Sequence, residues 1–392
     1  MTDRERRLPT DRPARPQSTP ADDRPPHIDL IWTLTLVCPW DCPMCSVDAV
    51  HVRRRQGVTE VRSEGLTVTD RIGAEPAAGS IYVQAASWRQ RQGLELDLPG
   101  KLRVLDHLDG YDAKIDFSGG DPMVLPENVT VMAEAAARFG RDNVTLTATG
   151  AGLITWPVER IAPLVGELNF TFDSAGYGDP RFRPRHYADR NLKHASRFAD
   201  AGVKVRAECP LTTANCAPEI LERIYMAIRE RGIGSLLLMR LFPVGRGGLR
   251  RDMVPSREQY REAIAVLRGL EAAYGHPKVR LQCALRHLGG TSDGINPCDL
   301  VRESFGLLTD GTLLASPWAV DNHGKPVDEA WILGDLGSDP LVRILASERA
   351  VEYRSRVDQN FGHCKIFSFQ NSGKQHAADR IFDTADPLYL AD

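Results

Sequence analysis

From Ile28 onward, short apolar runs alternate with longer stretches whose apolar residues recur every three or four positions. Residues 28–37, 114–117, 144–147, 168–172, 203–207 and 235–241 read as strands. Residues 129–139, 158–165, 190–201, 218–231 and 258–274 read as helices. In the fourth of these, Ile220, Leu221, Ile224, Ala227 and Ile228 mark one apolar face. Repeated strand–helix units imply an α/β fold, a parallel sheet with helices outside. Six such strands predict a partial (β/α)6 barrel of the TIM type, and an open doubly wound sheet fits the same periodicity. Either fold places its chemistry at the C-terminal ends of the strands.

Three stretches break this rhythm. Residues 1–27 alternate Pro with Arg and Asp and offer little to pack, which predicts a disordered tail. Residues 51–94 form a long insertion carrying Arg53, Arg54 and Arg55, read equally as a surface excursion or a lid. After Tyr274 the helices shorten and Gly, Pro and Cys gather up to Cys364. The expected organisation is therefore a tail (1–27), a barrel (28–248) and a C-terminal α+β module (249–392).

Composition narrows the class. The 392 residues, 42% hydrophobic and 26% charged, match a soluble globular protein. Lys and Arg total 49 against 52 for Asp and Glu, a net charge of −3, so nothing draws the whole molecule to nucleic acid or an anionic membrane. No apolar run approaches a membrane span, and the N-terminus opens with charges instead of a signal sequence. A cytoplasmic location is expected. Eight cysteines in a long chain of this kind point to metal or catalytic use before disulfides.

Three of them, Cys38, Cys42 and Cys45, stand four and then three residues apart, directly after the first predicted strand. Three close thiolates bind three irons of a [4Fe–4S] cube and leave the fourth iron open to a chelating small molecule. A structural zinc would want a fourth ligand nearby, and His51 is a poor match.

This spacing resembles the signature of the radical S-adenosylmethionine (radical SAM) superfamily. Phe117-Ser118-Gly119-Gly120-Asp121-Pro122, at the end of the next strand, is similar to that family's Gly-Gly-Glu-Pro motif, whose backbone meets the amino group of SAM. Thr149 after the third strand, and Thr171 and Asp173 at the end of the fourth, match positions that lie beside SAM in the family. The residue before the last cysteine is usually aromatic; here it is Met44, a thioether able to pack on adenine. The resemblance implies a [4Fe–4S] cluster with SAM, a 5′-deoxyadenosyl radical, and hydrogen abstraction from an unactivated C–H bond. It also implies an electron donor such as flavodoxin or ferredoxin.

Further matches follow. Residues 241–247, Leu-Phe-Pro-Val-Gly-Arg-Gly, resemble the turn that closes the barrel in family members with a SPASM or twitch extension. Residues 305–311, ending in the hairpin signal Asp310-Gly311, and residues 332–336 resemble parts of that extension. Cys283, Cys298 and Cys364 fall where it carries auxiliary-cluster ligands. A full SPASM module has seven cysteines; here Ser316 and Phe367 replace two of them, so at most one auxiliary [4Fe–4S] cluster is implied. His363 and Asp293 are the candidates for its fourth ligand by proximity in sequence, and a module holding only buried thiols is the alternative.

Cys209 and Cys216 remain, near a strand end and a helix start. A thiol facing the site would return a hydrogen to a substrate radical, as radical SAM epimerases require; core packing is the plainer reading of each. The leading expectation is epimerisation of a sugar or aminocyclitol carbon in a natural product. Alternatives are an alcohol dehydrogenase using the auxiliary cluster, a ribosomal-peptide maturase and, remotely, a non-enzymatic iron–sulfur scaffold.

Overall fold

The computed structural model describes residues 25–73, 79–175, 182–286, 288 and 296–389. Most of the expected tail and Asp293 lie outside the described residues. The strands in chain order are β1 (His27–Thr35), β2 (Val37–Cys38), β3 (Val50–Arg55), β4 (Val58–Ser63), β5 (Val68–Ile72), β6 (Asp112–Gly119) and β7 (Val144–Thr147). They continue as β8 (Glu167–Thr171), β9 (Lys204–Leu211), β10 (Ser235–Arg240), β11 (Lys278–Leu281), β12 (Ser304–Leu307), β13 (Thr312–Leu314) and β14 (Ile332–Asp335).

Ten of them form one sheet in the order β11-β10-β9-β8-β7-β6-β1-β12-β13-β14. The neighbours from β11 through β1 to β12 pair in parallel. The six expected barrel strands are all there, and β11, which the pattern did not predict, adds a seventh on the β10 side. Helices Pro126–Phe139, Tyr187–Asp200, Pro218–Glu230 and Arg257–Tyr274 lie between successive strands of the sheet. Alternate residues such as Trp32, Phe117, Leu146 and Phe170 are almost fully buried in the main core. Each large apolar side chain so buried contributes about 1.5–3 kcal/mol. The opposite face carries polar groups: Thr33 on β1, Ser118 on β6, Thr171 on β8 and Glu208 on β9 line a cavity at the strand ends.

The C-terminal module is not a separate body. β12 pairs with β1 from Asp29↔Ser304 to Trp32↔Leu307, and the β12–β13 hairpin, turning through Asp310 and Gly311, carries the barrel sheet onward. The 51–94 insertion is ordered where described. β2–β5 form a second, four-stranded sheet whose Val50, Val52 and Val61 pack with Ala85 and Ala86 of helix Ile81–Arg91. No helix among the described residues is long and apolar enough to cross a membrane.

Candidate active site

Cys38 ends β2, and Cys42 and Cys45 follow on a short loop. Four separate tethers hold this loop. At its entry, the buried carboxylate of Glu95 accepts from Thr35 Oγ1 and the Leu36 amide, both at 2.9 Å, and from Arg89 Nε at 2.7 Å. From the side, the Ser118–Asp121 turn lies against the backbone of residues 35–37: the Gly120 amide donates to Thr35 O (2.8 Å) and the Asp121 amide to Val37 O (2.9 Å). A Cβ on Gly120 would stand 2.5 Å from both Leu36 O and Val37 O, and one on Gly119, at φ +129°, would collide with Thr35 O. The close partner of these glycines is thus the strand that launches the cysteine loop. From below, buried Arg246 donates to Cys42 O (2.8 Å), Asp48 Oδ1 (2.8 Å) and Ala49 O (3.1 Å). The neighbouring Gly247 amide reaches Cys45 O at 3.3 Å. Across the mouth, Trp40 Nε1 donates to Thr149 Oγ1 at 3.0 Å.

The three cysteines line one cavity of about 170 Å³ together with Met44, Ser118, Gly119, Gly120, Thr149 and Thr171. Asp121 and Pro122 do not line it. Asp121 is fully buried and accepts from Thr149 Oγ1, the Gly152 amide (2.8 Å) and the Met123 amide (3.2 Å), locking the loops after β6 and β7 together. Burial raises its carboxyl to about 6, with these hydrogen bonds opposing. Asp173 also sits outside this cavity: its Oδ2 holds Arg183 at 2.8 Å, and it lines an adjoining cavity of about 310 Å³ that shares Met44 and Arg183 with the first.

The donor set fits a cluster with SAM. Backbone amides of Trp40 and Ala49 point at Cys38 Sγ (3.5 Å) and Cys45 Sγ (3.3 Å), the kind of donor that stabilises cluster-bound thiolates. Burial holds the Cys38 thiol well above its ordinary range and pushes Cys42 up to about 11, against the pull of the Arg183 guanidinium beside it. Coordination to iron deprotonates such thiols. Among the described residues no three His, Cys, Asp or Glu side chains gather tightly enough to hold a single metal ion.

Cys209 and Cys216 are not brought to this cavity. β9 runs on to Leu211, where the apolar pattern predicts an end at residue 207. Strand alternation then points Glu208 and Pro210 into the cavity and Cys209, fully buried, into the opposite core. Asn215 Nδ2 lies 3.9 Å from Cys209 Sγ, and Asn215 itself lines the adjoining cavity. Cys216 is buried in the main core, and burial pushes its thiol up to about 12. Sequence reasoning missed the groups that do face the site: Trp40, Arg183, Glu208 and Arg240. Glu208 carried a signal, since strand alternation from Ala207 would have put it inside.

Cys283, Cys298 and Cys364 line a second cavity of about 240 Å³, with Ser316, His363 and Lys365. Among the described residues, His363 Nδ1 is buried without a hydrogen-bond partner. The two cavities share a wall of Ile31, Phe242, Pro317 and Trp318, and Phe242 stacks on Trp318 at 4.7 Å between ring centroids. Arg240, at the end of β10, is clasped by Asp386 through two 2.7 Å contacts, and Asp386 also accepts the Cys364 amide at 2.9 Å.

The parallel barrel with its strand-paired C-terminal module is a fold shared with solved structures. Among them, SuiB from Streptococcus suis bound to precursor peptide SuiA superposes with a TM-score of 0.57 at 13% identity, covering 84% of this chain and 67% of SuiB. Another, anSMEcpe with bound AdoMet, gives 0.55 at 12% identity, covering 85% of this chain and 80% of that one. With bound AdoMet and the Cp18Cys peptide, anSMEcpe gives 0.53 at 13% identity, over 85% and 83% of the two chains. No family model and no curated protein matches the sequence.

Proposed function

We propose that this chain is a radical SAM enzyme that oxidises its substrate, removing two hydrogens from it. The supporting observation is the content of the first cavity: three cysteines, a carboxyl group and no thiol other than those three. When bound, a [4Fe–4S] cluster with SAM supplies the hydrogen-abstracting radical, and a second cluster supplies a one-electron acceptor. Cys38, Cys42 and Cys45 would hold the first and Cys283, Cys298 and Cys364 the second. Arg183 presents a guanidinium beside Cys42, suited to the carboxylate of SAM. Trp40 and Tyr187, packed edge to face at 5.3 Å, help enclose the site and exclude water. A flavodoxin or ferredoxin is the expected source of electrons.

Glu208 is placed to take the proton that leaves the substrate. Its carboxyl lines the cavity, makes no hydrogen bond among the described residues, and is raised to about 7 by burial and the nearby Asp116 and Glu167 carboxylates, against the pull of Arg206. A base must be ionised, so turnover should rise as pH climbs through about 7. In Glu208→Gln that rise should vanish and turnover fall by about 10²-fold or more, as steady-state rates across pH would show. A wild-type profile kept by the variant would remove Glu208 from the chemistry.

Epimerisation stays the competitor, and product mass decides between them. In deuterated water an oxidised product is two hydrogens lighter and carries no solvent deuterium at the reacting carbon. Epimerisation gives unchanged composition and one deuterium at the inverted carbon, because a donor thiol exchanges with solvent. The expected outcome is the lighter product, unaffected by Cys209→Ala or Cys216→Ala. A sugar or glycosylated metabolite is one candidate substrate. A peptide is the second, favoured by the peptides bound in the SuiB and anSMEcpe structures. Assay of both classes for 5′-deoxyadenosine formation separates them.

A further inference from the structure

Among the described residues, the second cavity holds a buried cation that forms no salt bridge. Lys365 is only 2% exposed, follows Cys364 directly, and lines the cavity with Cys283, Cys298 and Cys364. Its ammonium makes one long hydrogen bond, to Asn360 O at 3.5 Å, and no salt bridge among the described residues. The Asp358 carboxylate, which favours its charged form, is already engaged by Arg302 at 2.7 Å and Asn296 at 2.9 Å. Asp386 is likewise occupied, by Arg240. The Cys283, Cys298 and Cys364 thiols line the same cavity, and when ionised they would favour the charged form of this lysine.

A buried ammonium without a counter-charge is strongly disfavoured, and buried charges in proteins are paired or held against an anionic group. Among the described residues, Asp299 and the three thiols line the cavity with it and can carry negative charge, and the thiols include that of its chain neighbour Cys364. As thiolates on an iron–sulfur cluster they form an anion of the right sign, in a low-dielectric enclosure where the attraction is strong. We propose that Lys365 is the buried counter-ion of the group held by Cys283, Cys298 and Cys364, and that it sets the reduction potential of that group. The inference rests on the reading of these cysteines as cluster ligands. Reduction adds a negative charge, so a fixed neighbouring cation favours the reduced form and raises the potential. An acceptor is thereby kept ready behind the Phe242–Trp318 wall, one residue layer from the first cavity.

The test uses the full chain with Cys38, Cys42 and Cys45 replaced by alanine, so that only the C-terminal site binds iron. Anaerobically reconstituted protein is titrated with dithionite and followed by electron paramagnetic resonance. Lys365→Met, of similar length without charge, should keep its iron and show a lower midpoint potential; Lys365→Arg should titrate near the parent. A Lys365→Met protein with full iron and the parent potential would overturn the proposal. Should Lys365→Met lose its iron, Lys365→Arg decides: iron retained with Arg supports the counter-ion role, and iron lost with Arg as well makes the role one of shape and overturns it. A parent without iron would refute the cluster reading itself, and the proposal with it.

Discussion

A chain carrying Cys38→Ala, Cys42→Ala and Cys45→Ala is expected to form no 5′-deoxyadenosine from SAM, whatever substrate and reductant are supplied. The three thiols line one cavity and are the only cysteines that do. No other sulfur can therefore replace them without moving a strand. Cys209 is fully buried on the far face of β9, and the C-terminal triad lies beyond the wall of Ile31, Phe242, Pro317 and Trp318. Iron per chain should fall from about eight to about four, because each cluster holds about four and the second site is untouched. Quantifying iron and 5′-deoxyadenosine in parallel checks both halves. Reductive cleavage of SAM by the triple variant would show that the radical chemistry is seated elsewhere.

The next largest effect is expected from a residue that braces the cysteine loop from below. Arg246 closes the barrel and reaches back under the cysteine loop to Cys42 O, Asp48 Oδ1 and Ala49 O. Both it and Asp48 are nearly inaccessible, so Arg246→Met leaves a carboxylate buried without its partner. Breaking one side of such a pair costs about 3–5 kcal/mol. Asp48, at φ +50°, sits at the bend that brings the chain back into β3, so the cost falls on the loop itself. The expected result is a folded chain that keeps about four irons and loses the other four, with 5′-deoxyadenosine formation falling accordingly. Arg246→Lys should rescue poorly, since one ammonium cannot span three acceptors that a guanidinium fork meets together. Full iron loading in Arg246→Met would show that the Glu95, Gly120–Asp121 and Trp40 contacts suffice to hold the loop.

The parallel barrel was legible because its strands bury apolar residues against helices and so write the fold into hydropathy. The cysteine triad and the Gly119–Gly120 turn were legible as local spacing, although the glycines meet backbone first. What stayed hidden depends on register. Glu208 and Cys209 are adjacent, and the alternation that sets Ala207 in the core and Glu208 in the cavity continues only because the strand runs on through Pro210. Proline reads as an end to a strand, yet Pro210 lies past the last β8–β9 pair, Thr171↔Glu208, where no hydrogen bond to β8 is lost. Arg183, Arg240 and Lys365 were hidden for another reason. A cation looks like surface in a sequence; yet Arg240 is buried against Asp386, 146 residues on, Arg183 between Asp173 and Tyr187, and Lys365 in the second cavity.

The pairing of β1 with β12 has a consequence for how this protein can be cut. A break at residue 248 looks like a domain boundary in the chain, but it would strip β1 of a neighbour from Asp29 to Trp32 and leave an open edge beside the first cavity. It would also remove Asp386 and strand the Arg240 guanidinium in the interior. The barrel is therefore not a portable catalytic half to which a module has been appended. A shorter relative, or a designed chimaera, would need both a substitute strand in the same register and a new anion for Arg240 before it could stay soluble.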